Sequence, residues 1–279
     1  MSSIEQAADM LQESETVVAL IGAGLSTPSG MPTYANSSGQ WRNTESRNWT
    51  ERDYFNEHPR WWFNRFWKFY NQRNASSPSV GHYALKDMVD ASAIDAVITQ
   101  NIDGYEIESG ISEETVIEAH GSYRTMRCTE TDGFGDSCGF RISTDEWRQG
   151  NPARSVPLCP DCKPYSVHVF GDKNTERVET RRRILKPEIM LYGELLESSW
   201  ETKDRIDSSL DSADALIVIG TSLHVMGWRA TVRRFAEDDK KTVVVINPNK
   251  TSADDMDGVT IIQQPAEVVV PGLRDLLIA

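Results

Sequence analysis

Five apolar residues, Val17-Val18-Ala19-Leu20-Ile21, run straight into Gly22-Ala23-Gly24, and this junction constrains the fold more than any other stretch. An apolar, β-branched run entering a Gly-x-Gly turn is how a doubly wound sheet offers backbone N–H groups to a phosphate. Glycine serves there because the backbone must approach a ligand closely and can adopt positive φ. Gly-Ala-Gly lacks the third glycine of the dinucleotide fingerprint, so a plain tight turn from strand to helix is the other reading of these residues alone.

The same alternation recurs downstream. Residues 93–99, 116–119, 215–219 and 242–246 read as strands, and helices are expected from a capping Ser79 through 89, over 200–210 and 226–236, and after Pro265. Strands alternating with helices predict an α/β fold with a parallel sheet and right-handed crossovers. Polar groups stand just past three strand ends: Gln100-Asn101-Ile102-Asp103, Gly220-Thr221-Ser222 and Asn247. In an open α/β sheet that edge is where ligands bind. Residues 37–49 are polar and rich in Asn and Ser, which reads as a mobile loop. The aromatic run from Tyr54 to Tyr70 reads as helical core, with the wall of an apolar channel as its functional alternative.

Composition bounds the partners. Formal net charge is −13, with nine lysines and 20 arginines against 42 acidic residues, and so acidic a chain argues against nucleic-acid binding. No apolar run reaches the length of a membrane span, and the first twelve residues lack a basic signal-peptide region, so no membrane partner and a cytoplasmic location are expected.

Cys128, Cys138, Cys159 and Cys162 gather in a stretch enriched in Gly, Pro and Arg, which reads as a small module over residues 123–186. In a reducing cytosol clustered cysteines are metal ligands more often than disulfides, and Cys159-Pro160-Asp161-Cys162 has the spacing of a zinc knuckle. Four thiolates would close a tetrahedral structural Zn²⁺ site with no position left for water. His120 follows a strand and precedes Gly121, a setting that suits a general base at a cleft. His58, His82, His168 and His224 lack such a setting and read as structural.

Taken together, the motifs resemble the sirtuins, NAD-dependent protein-lysine deacylases. The matching stretches are Gly22-Ala23-Gly24-Leu25-Ser26-Thr27-Pro28-Ser29-Gly30-Met31-Pro32, Thr99-Gln100-Asn101-Ile102-Asp103-Gly104 and Glu118-Ala119-His120-Gly121-Ser122. The four cysteines, Lys186-Pro187-Glu188-Ile189-Met190-Leu191-Tyr192-Gly193-Glu194, Gly220-Thr221-Ser222-Leu223 and Ile246-Asn247 complete the set in family order. The resemblance implies a Rossmann-like NAD-binding domain over 1–122 and 187–279, carrying a helical insertion at about 35–80, and an inserted zinc-binding module over 123–186. It implies NAD as co-substrate, one structural zinc ion and acylated lysine-containing proteins as partners. Carried over by position, His120 is the base acting on the ribose hydroxyls, with Asn101 beside it in catalysis. Gly22, Ala23, Gly24, Ser26, Pro32, Tyr34, Gln100, Asn101, Ile102, Asp103, Gly220, Thr221, Ser222, Asn247 and Ala266 hold NAD, Asp103 reading the carboxamide. The products implied are free lysine, nicotinamide and O-acyl-ADP-ribose.

Four features depart from the family pattern. Ala35 stands where an arginine usually follows the aromatic residue, nine residues separate the first two cysteines, residues 163–183 are an insert, and Gly227 replaces a proline. The insert, with Arg181-Arg182-Arg183, reads as a solvated hairpin. Tyr70 and Arg73 have the Tyr-x-x-Arg spacing of desuccinylating sirtuins, whereas ungapped alignment between Pro59 and Pro78 puts Phe66 and Phe69 at those positions. Deacetylation is the favoured reading. The alternatives are a desuccinylase or demalonylase preference, and an NAD glycohydrolase or ADP-ribosyltransferase using the same pocket.

Overall fold

A computed structural model describes residues 3–32, 48–129, 138–151, 156–170, 176–194, 199–224 and 227–279. The backbone divides into two compact units, one of residues 1–47, 71–120 and 195–279, the other of residues 48–70 and 121–194.

The first unit is built on a six-stranded, all-parallel sheet. Its strands are β1 (Val17–Ile21), β2 (Ala96–Thr99), β3 (Val116–Glu118), β9 (Ala215–Ile219), β10 (Thr242–Ile246) and β11 (Val259–Ile262). Their spatial order is β11-β10-β9-β1-β2-β3, so the chain runs outward from β1 in one direction and later returns to fill the other side. That reversal creates a switch point between β1 and β9.

Alternation along the strands feeds two aliphatic layers. Val17, Ala19, Ile21, Ile217 and Ile219 pack with the buried faces of the helices at Ser3–Gln12, Val80–Asp90 and Ala266–Leu277. Val18, Leu20, Leu216 and Val218 pack in the other layer with Leu210, Val232 and Phe235 from the helices at Ser199–Ser212 and Trp228–Ala236. Burial on both faces is what a parallel sheet demands, and each such side chain contributes about 1.5–3 kcal/mol. The sequence reading missed β11 and the four-residue helix Tyr105–Glu108. The second expected strand is also shorter than 93–99, beginning at Ala96.

The second unit holds a three-stranded antiparallel sheet, β5-β4-β8, formed by β4 (Gly121–Cys128), β5 (Arg141–Ser143) and β8 (Leu185–Ile189). Inserted residues form the antiparallel hairpin expected of them, β6 (Tyr165–Phe170) with β7 (Glu176–Arg181). The aromatic run is two helices rather than one, Arg52–Glu57 and Pro59–Asn74. Pro59 explains the break, because proline lacks an N–H and suits the first helical position. Trp62, Phe63, Phe66 and Trp67 are fully buried, so the run is core, as expected. Trp62 stacks on Trp49 at 5.4 Å between centroids and on Phe66 at 5.6 Å. Each of the paired tryptophans also donates its indole N–H to the other's carbonyl, Trp62 Nε1 at 2.8 Å and Trp49 Nε1 at 3.3 Å.

Candidate active site

Parallel register places the predicted site residues in one row. Ile21 is level with Thr99 and Ile219, Ile219 with Ile246, and Thr99 with Glu118. The ladder runs one residue further at each strand: Gly22 donates to Ile219 O at 2.8 Å, Gln100 to Ile21 O at 2.9 Å and Gly220 to Ile246 O at 2.9 Å. Gly22, Gln100, Gly220 and Asn247 therefore leave the sheet along its carboxyl edge, across the switch point.

The glycine loop differs from the expectation in one respect. Gly24 N–H donates to Gly220 O at 2.8 Å, and Gly22 N–H is taken by Ile219 O. These two amides stitch one loop to the other and are not offered to a phosphate. The glycines matter for proximity instead. A Cβ on Gly24 would lie 2.5 Å from Gly220 Cα, and one on Gly22 would lie 2.5 Å from Thr221 Cβ. Gly220 has φ +68, and its added Cβ would sit 2.7 Å from Gly24 Cα. Beyond this contact residues Ala23–Ser29 form a 3₁₀ helix closed by Gly30 in the left-handed conformation.

Ser26 sits at the centre of a buried network. Asn101 Nδ2 donates to Gly22 O at 3.2 Å and to Ser26 Oγ at 3.3 Å. His82 Nδ1 accepts from the Ser79 N–H at 3.0 Å, which leaves the His82 proton on Nε2, 3.4 Å from Ser26 Oγ. With two donors directed at its oxygen, the Ser26 hydroxyl favours the charged form of the neighbouring Asp103 carboxyl. His82 is completely buried, and burial drives its pKa down to about 3, so it stays neutral. His82, which reads as structural in the sequence, therefore belongs to the site network. Its only sequence signal is its place three residues after the capping Ser79, with which it makes a capping box.

Asp103 lies under opposing influences. Burial raises its carboxyl to about 6, while Ser26, the Tyr105 N–H and the Arg73 guanidinium pull it back. Arg73 donates through Nε to Asp103 O at 2.7 Å, pairs with Glu108 and lies over the Tyr105 ring. No motif pointed to Arg73 in this role.

His120 has a defined tautomer. Its Nδ1 is 2.8 Å from Gln100 O, a carbonyl that only accepts, so Nδ1 carries the proton and Nε2 the lone pair. Burial lowers the His120 pKa, against the raising effect of that carbonyl. Nε2 is buried and makes no hydrogen bond among the described residues, and Gln100 Nε2 is in the same condition. Leaving such atoms unpaired costs about 1–3 kcal/mol each, and they occur here beside the glycine contact. A ligand with hydroxyl and amide groups would satisfy both, and the nicotinamide riboside half of NAD carries these groups.

The remaining predicted residues divide into two sets. Thr221 Oγ1 is 3.5 Å from Gln100 Oε1, and the Ser222 and Asn247 backbones lie on the same edge. Ala266 is the buried first residue of its helix, Ala23 opens the 3₁₀ helix, and Pro32 and Ile102 lie in described loops. Tyr34, and with it Ala35 and most of the loop expected at 37–49, lies outside the described residues.

In the second unit the four cysteine Sγ atoms lie within 4.8 Å of one another. Cys128 is 3.6 Å from Cys162 and Cys138 is 3.5 Å from Cys159. These separations are far longer than a disulfide of about 2.05 Å and suit sulfurs about 2.3 Å from one tetrahedral zinc. The set fits one structural zinc ion. Near it the fully buried Lys186 pairs with Glu194 at 3.0 Å and donates to Ile189 O at 2.6 Å, tying together the ends of the 186–194 motif.

The sequence profile described as Sir2 family matches residues 22–227. The chain is 28% identical over 252 residues to an NAD-dependent protein deacylase of Aeropyrum pernix, covering 89% of this chain and 87% of that protein. It is 29% identical over 266 residues to an NAD-dependent protein deacetylase of Bacillus subtilis, covering 92% and 94%. Among solved structures, one described under the mechanism and regulation of Sir2 enzymes superposes with a TM-score of 0.75 at 26% identity, covering 99% of this chain and 97% of that one. A second, Sir2 bound to acetylated peptide, shares the fold with a TM-score of 0.73 at 24% identity, covering 97% and 96%.

Proposed function

The chain belongs to the Sir2 family and is an NAD-dependent protein deacylase, and we propose that it removes acetyl groups from protein lysine side chains. When bound, NAD supplies the ribose that accepts the acyl group and the nicotinamide that leaves.

One observation carries the reading of the site: His120 presents a neutral, shielded Nε2 lone pair while its Nδ1–H is held by Gln100 O. His120 takes up at Nε2 the proton of a ribose hydroxyl. Asn101 and Asp103 border the nicotinamide, Asp103 accepting from the carboxamide. Gln100, Gly220, Thr221, Ser222 and Asn247, with Ala23 and Ser26, hold the rest of the dinucleotide. Because burial lowers the His120 pKa, the base form persists below pH 6.5, and the acid limb of activity falls under that value.

The acetyl preference is supported by the engagement of Tyr70 and Arg73. A succinyl or malonyl group brings a carboxylate that needs a cation to receive it. Arg73 instead serves Asp103 O and Glu108, and the Tyr70 hydroxyl donates to Asp145 at 2.7 Å. A cytosolic setting fits four thiols at ligand distance.

The test is incubation with NAD and acetylated, succinylated or unmodified peptides, following nicotinamide and peptide mass. Nicotinamide release that requires acetyl-peptide and yields O-acetyl-ADP-ribose is the expected result. Release without peptide overturns the reading in favour of NAD hydrolysis, and faster turnover of succinyl-peptide overturns the acetyl preference. His120→Ala lowers deacylation by at least about 100-fold with zinc content unchanged. Undiminished turnover in that variant removes His120 from the mechanism.

A further inference from the structure

Glu106 is a carboxylic acid in an unusual place. It is 1% exposed, three residues past Asp103 in the helix Tyr105–Glu108. One of its oxygens is used: Thr99 Oγ1 donates to Glu106 Oε1 at 2.7 Å. The same Thr99 oxygen accepts the Asn101 N–H at 3.1 Å. Asn101 Nδ2 in turn donates to Ser26 Oγ, and the Ser26 hydroxyl favours the charged form of Asp103. Glu106 thus ends a hydrogen-bonded chain that passes through Thr99 and Asn101 to Ser26, the neighbour of Asp103. Its second oxygen, Oε2, is buried and receives no hydrogen bond among the described residues.

We propose that Glu106 is a positioning residue of the NAD site: un-ionised, it fixes Thr99 and through it Asn101, and on ionising beside Asp103 it sets the alkaline limit of NAD binding. The proposal rests on Asn101 and Asp103 being NAD contacts.

The electrostatics agree with the geometry. Burial, reinforced by the neighbouring Asp103 and Glu118 charges, raises the Glu106 carboxyl to about 8, against the Thr99 hydrogen bond. The charged and titratable groups on the elements around it give no relief. Arg73 is committed to Glu108 and Asp103 O, His82 is neutral, and Lys86 pairs with Asp90. A charged Glu106 therefore shares its pocket with Asp103 and has no donor at Oε2. That cost is relieved by water entering or by Asp103 retaining a proton, and either change alters the group that reads the carboxamide.

Glu106→Gln keeps an acceptor for Thr99 and cannot ionise, whereas Glu106→Leu removes the acceptor. With acetyl-peptide and NAD, the wild-type KM for NAD is expected to rise about tenfold from pH 7 to pH 9, as a group titrating near 8 becomes about nine-tenths ionised. Glu106→Gln holds KM nearly constant over that range, and Glu106→Leu raises it at every pH. A second readout uses the ligand-free protein. A carboxyl raised on folding keeps a proton that the unfolded chain has lost, so wild-type stability falls as pH rises from about 4.5 to about 8. Glu106→Gln removes that part of the slope in thermal midpoints. Parallel KM profiles for wild type and Glu106→Gln, in an active wild type, overturn the role of Glu106 alone. Absence of any acyl-peptide-dependent nicotinamide release by wild type overturns the enzyme reading, and the positioning role with it.

Discussion

The two compact units solve the same problem with different materials. The first, with the parallel sheet, carries 13 basic and 28 acidic residues, a formal −15, and the second carries 16 and 14, a formal +2. Five of the eight tryptophans belong to the second unit, with all four cysteines. The sheet unit is held by two aliphatic layers fed by its strands, and in the central β1 and β9 every position is buried. The other unit has strands of three to eight residues and stacked rings, and its thiols converge on one point. A large sheet can tolerate a heavy like-charge surface because its burial is extensive, whereas a small module needs a covalent or metal staple.

The largest effect that tests this contrast is loss of the metal. Cys159→Ala removes a fully buried ligand, and structural zinc contributes on the order of 10 kcal/mol to folding. Zinc content falls to zero, and the near-ultraviolet dichroism of the tryptophans collapses while the far-ultraviolet signal of the parallel sheet persists. Loss of both signals together would show that the sheet depends on the staple as much as its neighbour does.

Next in size is a pair of core truncations. Trp62→Ala removes a ring held between Trp49 and Phe66 and costs about 3–5 kcal/mol, and Ile217→Ala in the sheet costs about 2–5 kcal/mol. The contrast predicts that the first moves the denaturation midpoint seen by tryptophan emission and the second the midpoint seen by far-ultraviolet dichroism. Identical shifts in both probes for both variants would break it.

The smallest effect concerns charge. Screening should relieve the self-repulsion of the −15 unit and leave the near-neutral one unchanged. Raising potassium chloride from 0.1 to 1 M is expected to raise the far-ultraviolet midpoint by a few degrees, about 1 kcal/mol, with little change in the tryptophan midpoint. The reverse order would place the sensitivity in the wrong unit.

Much of this was legible in the chain. β1 and β9 begin and end where their apolar runs do, because strands buried on both faces read as near-continuous apolar runs. β11 escaped because Val259-Thr260-Ile261-Ile262 is short, half-buried and includes a threonine. Its place at the sheet edge relaxes the pattern. The cysteines were readable from their clustering. Arg73, His82 and Glu106 were not: their partners lie seven to 56 residues away, and the spacings that Arg73 and His82 do show point to other roles.

The sequence by itself determined that the chain makes a parallel α/β sheet with Gly22, Gln100, Gly220 and Asn247 past its strand ends, because period and turn chemistry are local properties. It also fixed four thiols in one module. Only the tertiary structure decided what those residues do once assembled. It spent the Gly22 and Gly24 amides on the partner loop, set the His120 tautomer through Gln100 O, and buried Glu106 beside Asp103. The reason is physical: proton positions and ionisation depend on which groups share a desolvated space, and that is settled only when distant strands come into register.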